Sequence, residues 1–357
     1  MSSKLYIAAA GAGKTRKIIE EVINTKEKVL IVTYTNNNTN QIKERIKKRC
    51  GYIPDNIAVR TWMSFLIKDG INPYQGGLFK NKVNGIIISD NKIKFFKRTE
   101  EKYYVKGTKI YSNKISECVC YLDEINSGLV IERISKLYKK IYIDEVQDLV
   151  GYDYEVLKLL IENKLEVIMV GDPRQCAYTT HNTKKNRKFN NGNIKEYLEQ
   201  NCLKNIKIDE ITLNKTYRCN EKIMKFANLL YPQLKETMVE RKITTITQGV
   251  FVIDKDKINL YLEKYNAVQL RYDSKTKINN KYDVYNFGEA KGLEFDNILI
   301  YPTKEMWDWI NDYTVSLAFQ TRAKFYIAIT RAKYRVLIVK RDDRKCALEN
   351  FDIYEEV

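Results

Sequence analysis

The chain has 357 residues and a formal net charge of +17, from 62 Lys and Arg against 45 Asp and Glu. This length predicts two domains, and the basic balance weakly favours an acidic partner such as nucleic acid. No apolar run approaches the roughly 18 residues of a membrane helix, so we expect no membrane contact and a cytoplasmic protein. The 7 cysteines are scattered and there is 1 histidine, a pattern that argues against a zinc site and fits a reducing compartment.

A strand, a turn of small residues and a helix open the chain. The apolar run Leu5–Ile7 predicts the strand, and Ala8–Thr15 reads Ala-Ala-Ala-Gly-Ala-Gly-Lys-Thr before a helical pattern. Such a turn gathers backbone N–H groups at a helix N-terminus, which is an anion site. The lysine can then reach the β- and γ-phosphates of a nucleotide, and the Thr15 hydroxyl can bind Mg²⁺. The predicted phosphate contacts are Gly11, Ala12, Gly13, Lys14, Thr15 and Arg16.

A second apolar strand, within Ile141–Asp148, ends in two acids. Asp144 is placed to hold Mg²⁺, and Glu145 is placed to orient or deprotonate the attacking water. Together with the phosphate loop, this pair predicts hydrolysis of a nucleoside triphosphate.

Strand-like runs alternate with amphipathic helical patterns over most of the chain, which predicts an α/β protein with parallel sheets. The order of strand, phosphate loop, helix and later strand-Asp-Glu matches a RecA-like core. We expect two such P-loop NTPase domains, at 1–205 and 206–357. The predicted strands are Leu5–Ile7, Val29–Thr33, Ile141–Ile143, Val167–Val170, Asn297–Tyr301 and Arg335–Val339. A strand-helix-strand core that includes Ala267–Arg271 is also predicted in the second domain.

The alternation breaks between about 70 and 115, where glycines and short apolar runs predict a small β-rich insertion in the first domain. One hairpin is predicted over Ile86–Phe96, about an Asp90-Asn91 turn. A second is predicted from Lys102–Val105 and Thr108–Tyr111.

Further short motifs follow the phosphate loop in a fixed order, and they carry a resemblance to a known family. They are Val32-Thr-Tyr-Thr-Asn36, Gly171-Asp-Pro-Arg-Gln175, Thr216-Tyr-Arg218, Glu289-Ala-Lys-Gly-Leu-Glu-Phe295 and Tyr326-Ile-Ala-Ile-Thr-Arg-Ala332. With the loop and the acid pair, they resemble the superfamily 1 helicases of the UvrD/Rep/PcrA type. The series spans residues 4 to 339.

The resemblance implies further roles at the nucleotide. Gln175 would sense the γ-phosphate or its water, and Arg218 and Arg331 would act as arginine fingers. Tyr217 would stack on the base, with a packed tyrosine as the alternative. Gly292 and Glu294 look like the family's sugar and interdomain contacts.

The resemblance also implies contacts to nucleic acid. Tyr34 occupies the position of an aromatic that stacks on single-stranded bases, and Thr35 and Asn36 follow it at the strand end. The stretch Thr61-Trp-Met-Ser64 resembles the family's Thr-Phe-His-Ser. Its hydroxyls would contact phosphates, and Trp62 would either stack on a base or fill the core. The full set of candidates is Tyr34, Thr35, Asn36, Thr61, Trp62, Ser64 and Tyr178.

Three departures from the family pattern stand out. The upstream glutamine motif that reads adenine has no room before Leu5, which leaves the choice of ATP over other triphosphates open. The large insertion of the family's second domain is nearly absent, because only about 70 residues separate Arg218 from Gly288. Gly288 itself replaces a histidine of the family.

The leading hypothesis is an ATP- and Mg²⁺-dependent DNA helicase or single-strand DNA translocase, with the 3′→5′ direction implied by the resemblance. Its partner would be single-stranded or partly duplex DNA. The alternative is a nucleic-acid-sensing ATPase subunit that regulates a partner nuclease in a phage-defence or repair complex. An RNA helicase is disfavoured, since the motif spellings follow the DNA branch.

Overall fold

The computed structural model describes residues 2–88, 95–177, 184–240 and 247–341, and the backbone alone of 352–353. It divides the chain into two compact units, each with its own parallel sheet. Unit 1 consists of Met1–Ile7, Lys14–Pro173 and Thr179–Asp209, and unit 2 of Ala8–Gly13, Arg174–Tyr178 and Glu210–Val357.

Unit 1 alternates strands with helices along most of its length, as the sequence pattern predicts. Its elements in chain order are β1 (Ser3–Ile7), α1 (Lys14–Ile23), β2 (Val29–Thr33), α2 (Asn36–Cys50), β3 (Ile57–Thr61), α3 (Trp62–Phe65), β4 (Gly85–Ile87), β5 (Val105–Lys106), β6 (Lys109–Tyr111), α4 (Ile115–Ile125), α5 (Leu129–Leu137), β7 (Lys140–Asp144), α6 (Tyr152–Glu162), β8 (Glu166–Gly171), α7 (Ile194–Cys202) and β9 (Ile206–Asp209).

The main sheet of unit 1 has six strands in the order β3-β2-β7-β8-β1-β9, and every neighbouring pair is parallel. Helices cover such sheets on both faces, so their strands are continuous apolar runs; every residue of β2 is buried. Because the strands are parallel, all of their carboxyl ends meet at one edge. The predicted α/β class with parallel sheets is confirmed.

Strand β9 extends the first sheet beyond the boundary expected at 205. Ile206 pairs with Ser3 and Asp209 with Tyr6, so these residues belong to unit 1. Backbone hydrogen bonds to β1 decide this placement. The sequence of a four-residue strand does not show which sheet the strand joins.

The segment between β3 and α4 contains a small three-stranded sheet in the order β4-β6-β5. Strands β5 and β6 form the predicted antiparallel hairpin, and Gly107 at its turn has a φ of 61°. Strand β4 pairs with β6 in parallel. The Asp90-Asn91 turn of the other predicted hairpin lies outside the described residues.

Unit 2 contains a second six-stranded parallel sheet, in the order β14-β13-β15-β16-β12-β17. Its apolar core includes Trp307, Phe325 and Tyr326, none of which is exposed. The elements in chain order are β10 (Lys215–Thr216), α8 (Glu221–Leu229), β11 (Met238–Val239), β12 (Gly249–Ile253), α9 (Ile258–Tyr265), β13 (Val268–Arg271), β14 (Val284–Asn286), β15 (Phe295–Tyr301), α10 (Lys304–Asn311), α11 (Phe319–Ile329), β16 (Ala332–Val339) and β17 (Asp352–Ile353).

Length and apolarity rule out a membrane-crossing role for every helix in the part of the chain that the structure describes.

A buried carboxylate connects three helices of unit 1. Asp153, on α6, is 1% exposed. It accepts hydrogen bonds from the indole N–H of Trp62 at 2.8 Å, from the Val150 N–H at 3.1 Å and from the Ser116 hydroxyl. Because an ionised carboxylate is costly to bury without donors, each of these bonds stabilises the packing of α3 and α4 on α6.

Replacing Trp62 with Phe should therefore destabilise unit 1 by about 1–3 kcal/mol, since the Asp153 carboxylate stays buried with one donor fewer. Urea and thermal unfolding measure this change, and Tyr52→Phe at a 66% exposed position is the matched control. Unchanged stability together with weaker nucleic-acid binding would instead favour the stacking role of Trp62.

Candidate active site

The carboxyl edge of the unit 1 sheet gathers polar side chains from neighbouring strands. Strand β7 ends in Asp144, which Glu145 follows, and β8 ends in Gly171, which Asp172 follows. Strand β1 lies beside β8, and α1 begins at Lys14 soon after β1 ends. Ligands of open α/β sheets bind at this edge, outside the carboxyl ends of the strands.

The predicted magnesium ligands lie in direct contact. The Thr15 hydroxyl donates to Asp144 Oδ2 at 2.8 Å, and Asp144 is 5% exposed. Burial, with repulsion from Glu145, raises the pKa of Asp144 to about 6, and the Lys14 ammonium opposes this rise. A hydroxyl beside a buried carboxylate fits Mg²⁺, which takes a few protein oxygens and fills its octahedron with water and phosphate. In the described ranges no cluster of three or more His, Cys, Asp or Glu side chains is arranged to hold a metal.

Lys14 and Glu145 face each other beside this pair. Lys14 is 9% exposed, and its Nζ lies 4.0 Å from Glu145 Oε1. Glu145 has a φ of 57° and a ψ of 42°, in the left-handed region, and its N–H donates to Asp144 Oδ1 at 3.0 Å. A non-glycine residue in this region costs on the order of 1 kcal/mol, and such strain concentrates at functional sites. The fold thus fixes the backbone that carries the predicted base.

Gln147 is a residue of this cluster to which the motif pattern assigned no role. Its side chain is 1% exposed and donates through Nε2 to the Glu145 carboxylate. Its Oε1 accepts from the Asp172 N–H at 3.1 Å. The one signal in the sequence was an amide two residues after the base, and only the fold shows that it points back to that base.

The glycine-rich loop needs its glycines for two separate reasons. Gly11 and Gly13 have φ values of 72° and 81°, which L side chains rarely adopt. A Cβ at Gly11 would also lie 2.7 Å from the Thr216 hydroxyl oxygen and from Arg218 Cβ, within unit 2. Ala12 is buried, whereas the Arg16 side chain is 73% exposed and pairs with Glu20 at 2.7 Å.

Unit 2 brings Gln175 and Arg331 together. Arg331 precedes β16 and is 2% exposed. Its Nη2 donates to Gln175 Oε1 at 3.2 Å, its Nε to the Ile327 carbonyl at 3.1 Å and its Nη1 to the Leu293 carbonyl at 3.3 Å. These bonds exclude the solvated surface ion pair that is the ordinary role of an arginine in such a turn.

Arg218 pairs with Glu294 in the same unit. Its Nη2 lies 2.7 Å from Glu294 Oε1, and its Nη1 donates to the Thr330 carbonyl at 3.1 Å. Partial burial raises the pKa of Glu294, but the Arg218 guanidinium outweighs it, and the pKa ends below its ordinary value. Tyr217 is 59% exposed, which leaves a ring face open to a ligand, and Gly292 has a φ of 88°.

Most of the candidate nucleic-acid residues lie at or just after the ends of β2 and β3, which are neighbours with Thr33 opposite Thr61. Thr35 and Thr61 cap the helices that follow, accepting from the N–H groups of Asn38 and Ser64, each at 3.2 Å. The exposed members are Thr35, Asn36 and Ser64.

The aromatic candidates differ in exposure. Burial, and then the Asp153 and Asp148 charges, raise the pKa of Tyr34, which is only partly exposed. Trp62 is 3% exposed and bonded to Asp153, so the geometry favours its core-filling alternative. Tyr178 lies outside the described residues.

Curated relatives match parts of the chain. RecBCD enzyme subunit RecB of Buchnera aphidicola subsp. Baizongia pistaciae is 28% identical over 134 residues, which are 38% of this chain and 10% of that protein. A probable DNA helicase II homolog of Mycoplasma genitalium is 27% identical over 39% of this chain and 18% of its own length. ATP-dependent DNA helicase Rep of Buchnera aphidicola subsp. Schizaphis graminum is 25% identical over 63% of this chain and 41% of its own. The chain thus spans well under two thirds of each relative.

Two solved structures can be set beside the fold. Arterivirus nonstructural protein 10 (helicase) has a TM-score of 0.48 at 12% identity, over 98% of this chain and 62% of that one. PRRSV helicase has a TM-score of 0.48 at 13% identity, over 98% of this chain and 54% of that one.

Two family models match the chain over half of its length or more. The model described as an AAA domain matches residues 2–181, and the model described as a viral superfamily 1 RNA helicase core domain matches residues 108–340. These ranges contain the loop lysine, the acid pair and both arginines. The chain therefore belongs to the superfamily 1 helicases, a family of helicase-like ATPases that act on nucleic acid.

Proposed function

We propose that this protein hydrolyses ATP and uses the free energy to move along single-stranded DNA in the 3′→5′ direction. One observation carries the proposal: the Thr15 hydroxyl meets the Asp144 carboxylate at 2.8 Å while the Lys14 ammonium lies 4.0 Å from Glu145. This edge of unit 1 thus holds a cation for phosphates, oxygen ligands for Mg²⁺ and a carboxylate for water.

Each of these groups has a distinct task in hydrolysis. The Lys14 ammonium balances negative charge on the β- and γ-phosphates, and the loop N–H groups bind their oxygens. Thr15 and Asp144 would hold Mg²⁺, and the ion would supply positive charge to the phosphate oxygens. Glu145 orients the attacking water and accepts its proton, and its fixed backbone keeps the carboxylate aligned between turnovers.

The resemblance to the family also assigns roles to residues of unit 2. Arg218 and Arg331 would stabilise the charge of the transition state, and Gln175 would respond to the γ-phosphate. Tyr217 would stack on the base, and Gly292 and Glu294 would contact the sugar. The bond between Arg331 and Gln175 at 3.2 Å supports a joint role for these two residues. We further propose that the two units serve as the RecA-like domains of the motor.

The strand order of unit 1 supports coupling between hydrolysis and nucleic-acid binding. Strand β2 pairs with β3 on one side and with β7 on the other, with Val32 opposite Ile143. The candidate nucleic-acid contacts Thr35, Asn36, Thr61 and Ser64 are thus one or two strands from Asp144. Tyr34 would add base stacking, worth about 1–3 kcal/mol per base. DNA is proposed as the substrate because two of the relatives are named DNA helicases.

A second candidate function is a nucleic-acid-sensing ATPase subunit that regulates a nuclease. The match to a protein named as a subunit of the RecBCD enzyme favours it. The two functions differ in a simple assay: the motor separates strands or moves alone, whereas the subunit hydrolyses ATP without moving and co-purifies with a nuclease.

We expect single-stranded DNA to stimulate the ATPase several-fold. Our reason is that DNA bound at the ends of β2 and β3, close to β7, would align Glu145. Steady-state hydrolysis is measured with single-stranded DNA, with RNA and with neither. Lys14→Ala should abolish the activity, and Lys48→Ala, on the exposed face of α2, is the control that should retain it. Absence of stimulation by either nucleic acid would contradict the motor.

Removal of Arg331 should leave ATP bound and its hydrolysis slowed by about 10³-fold or more. Because Arg331 is buried with bonds to Ile327 and Leu293, Arg331→Ala also risks unfolding. Arg331→Lys keeps a positive charge at this position. Both variants are compared with the wild type by thermal melting, nucleotide-binding fluorescence and turnover. A folded, ATP-binding variant with normal turnover would remove Arg331 from the reaction.

A further inference from the structure

Gln147 is a buried amide beside the proposed base, and the reaction assigned above makes no use of it. It lies in a turn of 3-10 helix, Val146–Asp148, that begins directly after Glu145. Only 1% of its surface is exposed. A polar side chain buried to this degree needs hydrogen-bond partners, and those partners determine where its two amide atoms point.

The backbone of Asp172 fixes the orientation of this amide. The Asp172 N–H donates to Gln147 at 3.1 Å, so the atom it meets is the carbonyl oxygen Oε1. The Nε2 group is therefore turned the opposite way, where it donates to Glu145 Oε2. A flipped amide would set two donors against each other at Asp172 and two acceptors at Glu145.

Gly171 makes room for this arrangement. A Cβ at that position would lie 2.6 Å from Gln147 Oε1 and 2.9 Å from Val146 Cγ1, both closer than real Cβ contacts. Gly171 has no positive φ, so its backbone alone would accept alanine. The space at the end of β8 is instead filled by the Gln147 amide.

The two oxygens of Glu145 consequently have different neighbours. Oε2 accepts from Gln147, while Oε1 faces the Lys14 ammonium at 4.0 Å. A free glutamate side chain has three rotatable bonds, and freezing such a chain costs roughly 1–2 kcal/mol of rotamer entropy. The bond from Gln147 provides this restraint on the side of the carboxylate away from Lys14.

We propose that Gln147 is a positioning residue that holds Glu145 Oε2, so that Oε1 is the oxygen that receives the proton of the attacking water. The inference rests on the proposed ATP hydrolysis and names the geometry that makes it efficient. Gln147 itself contacts neither phosphate nor water in this assignment. Through Asp172 it also joins the base to the end of β8, so the two neighbouring strands β7 and β8 both constrain the base.

Two independent substitutions test the proposal. Gln147→Met keeps the length of the side chain and removes both bonds, whereas Gly171→Ala leaves Gln147 intact and displaces its amide by steric contact. Each should lower kcat by about 10- to 100-fold, because small misplacements of a catalytic group cost that much. The KM and the binding constant for ATP should stay within about threefold, since Lys14 and Thr15 are unchanged.

Matched controls separate this effect from general loss of stability. Gln269, on β13 of unit 2, is also fully buried and bridges Asn279 and Tyr301 through its amide. Gln269→Met should lower the melting temperature without lowering kcat in assays well below that temperature. Gly76→Ala, where a Cβ meets nothing within 4 Å, should change neither quantity.

A double-mutant cycle identifies the route of the effect. In a Glu145→Gln background, Gln147→Met should have no further effect on single-turnover hydrolysis, because Gln147 acts only through the Glu145 carboxylate, which that background lacks. An equal fold-loss in both backgrounds would overturn the proposal, as would normal kcat in both Gln147→Met and Gly171→Ala. Wild-type protein without ATP hydrolysis would overturn the proposed function itself, whereas an active wild type with equally active Gln147→Met and Gly171→Ala variants would overturn this inference alone.

Discussion

The parallel register of the unit 1 sheet is the constraint on which the site depends. Thr15 and Asp144 are 129 residues apart in the chain, yet their oxygens lie 2.8 Å apart. They meet because β1, β8 and β7 are consecutive neighbours that run in the same direction, so their carboxyl ends share one edge. An antiparallel β7 would carry the acid pair to the far side of the sheet. The same register places the ends of β2 and β3 next in line, so the nucleic-acid candidates follow from the same arrangement.

Because this edge of the sheet is buried, its charged and polar side chains need partners that balance or bind them. Asp144, Lys14 and Gln147 are all nearly inaccessible to solvent, and the fold pairs each of them with a neighbour. The pKa of Asp144 is raised first by burial and then by repulsion from Glu145. A divalent cation would offset the negative charge of these carboxylates, and the Lys14 ammonium would balance that of a phosphate, so the edge suits a nucleotide with Mg²⁺ better than a neutral ligand. In unit 2 the guanidinium of Arg331 is likewise held in place by two backbone carbonyls and the Gln175 amide.

Sequence patterns predicted most of the apolar strands but missed β3, β9 and the fully buried β12. Strand β3 contains Arg60, which reads as solvent-exposed, yet its guanidinium pairs with the buried carboxylate of Asp69. Strand β9 has only four residues, and its membership in the first sheet depends on pairing with β1. Trp62 shows the same limit among the site residues, since an aromatic in a motif has the same letter whether it stacks on a base or bonds to Asp153.

The sequence by itself determined the class of fold and predicted the chemistry proposed near the phosphates, because a glycine-rich turn with a lysine and a strand ending in two acids are each recognisable from local order. Tertiary structure alone decided how those groups orient one another. The orientation of the Gln147 amide toward Glu145 depends on the backbone N–H of Asp172, which lies 25 residues further along the chain. The space for it depends on the missing side chain of Gly171. Such contacts arise between strands that are distant in sequence, and no spacing within one motif encodes them.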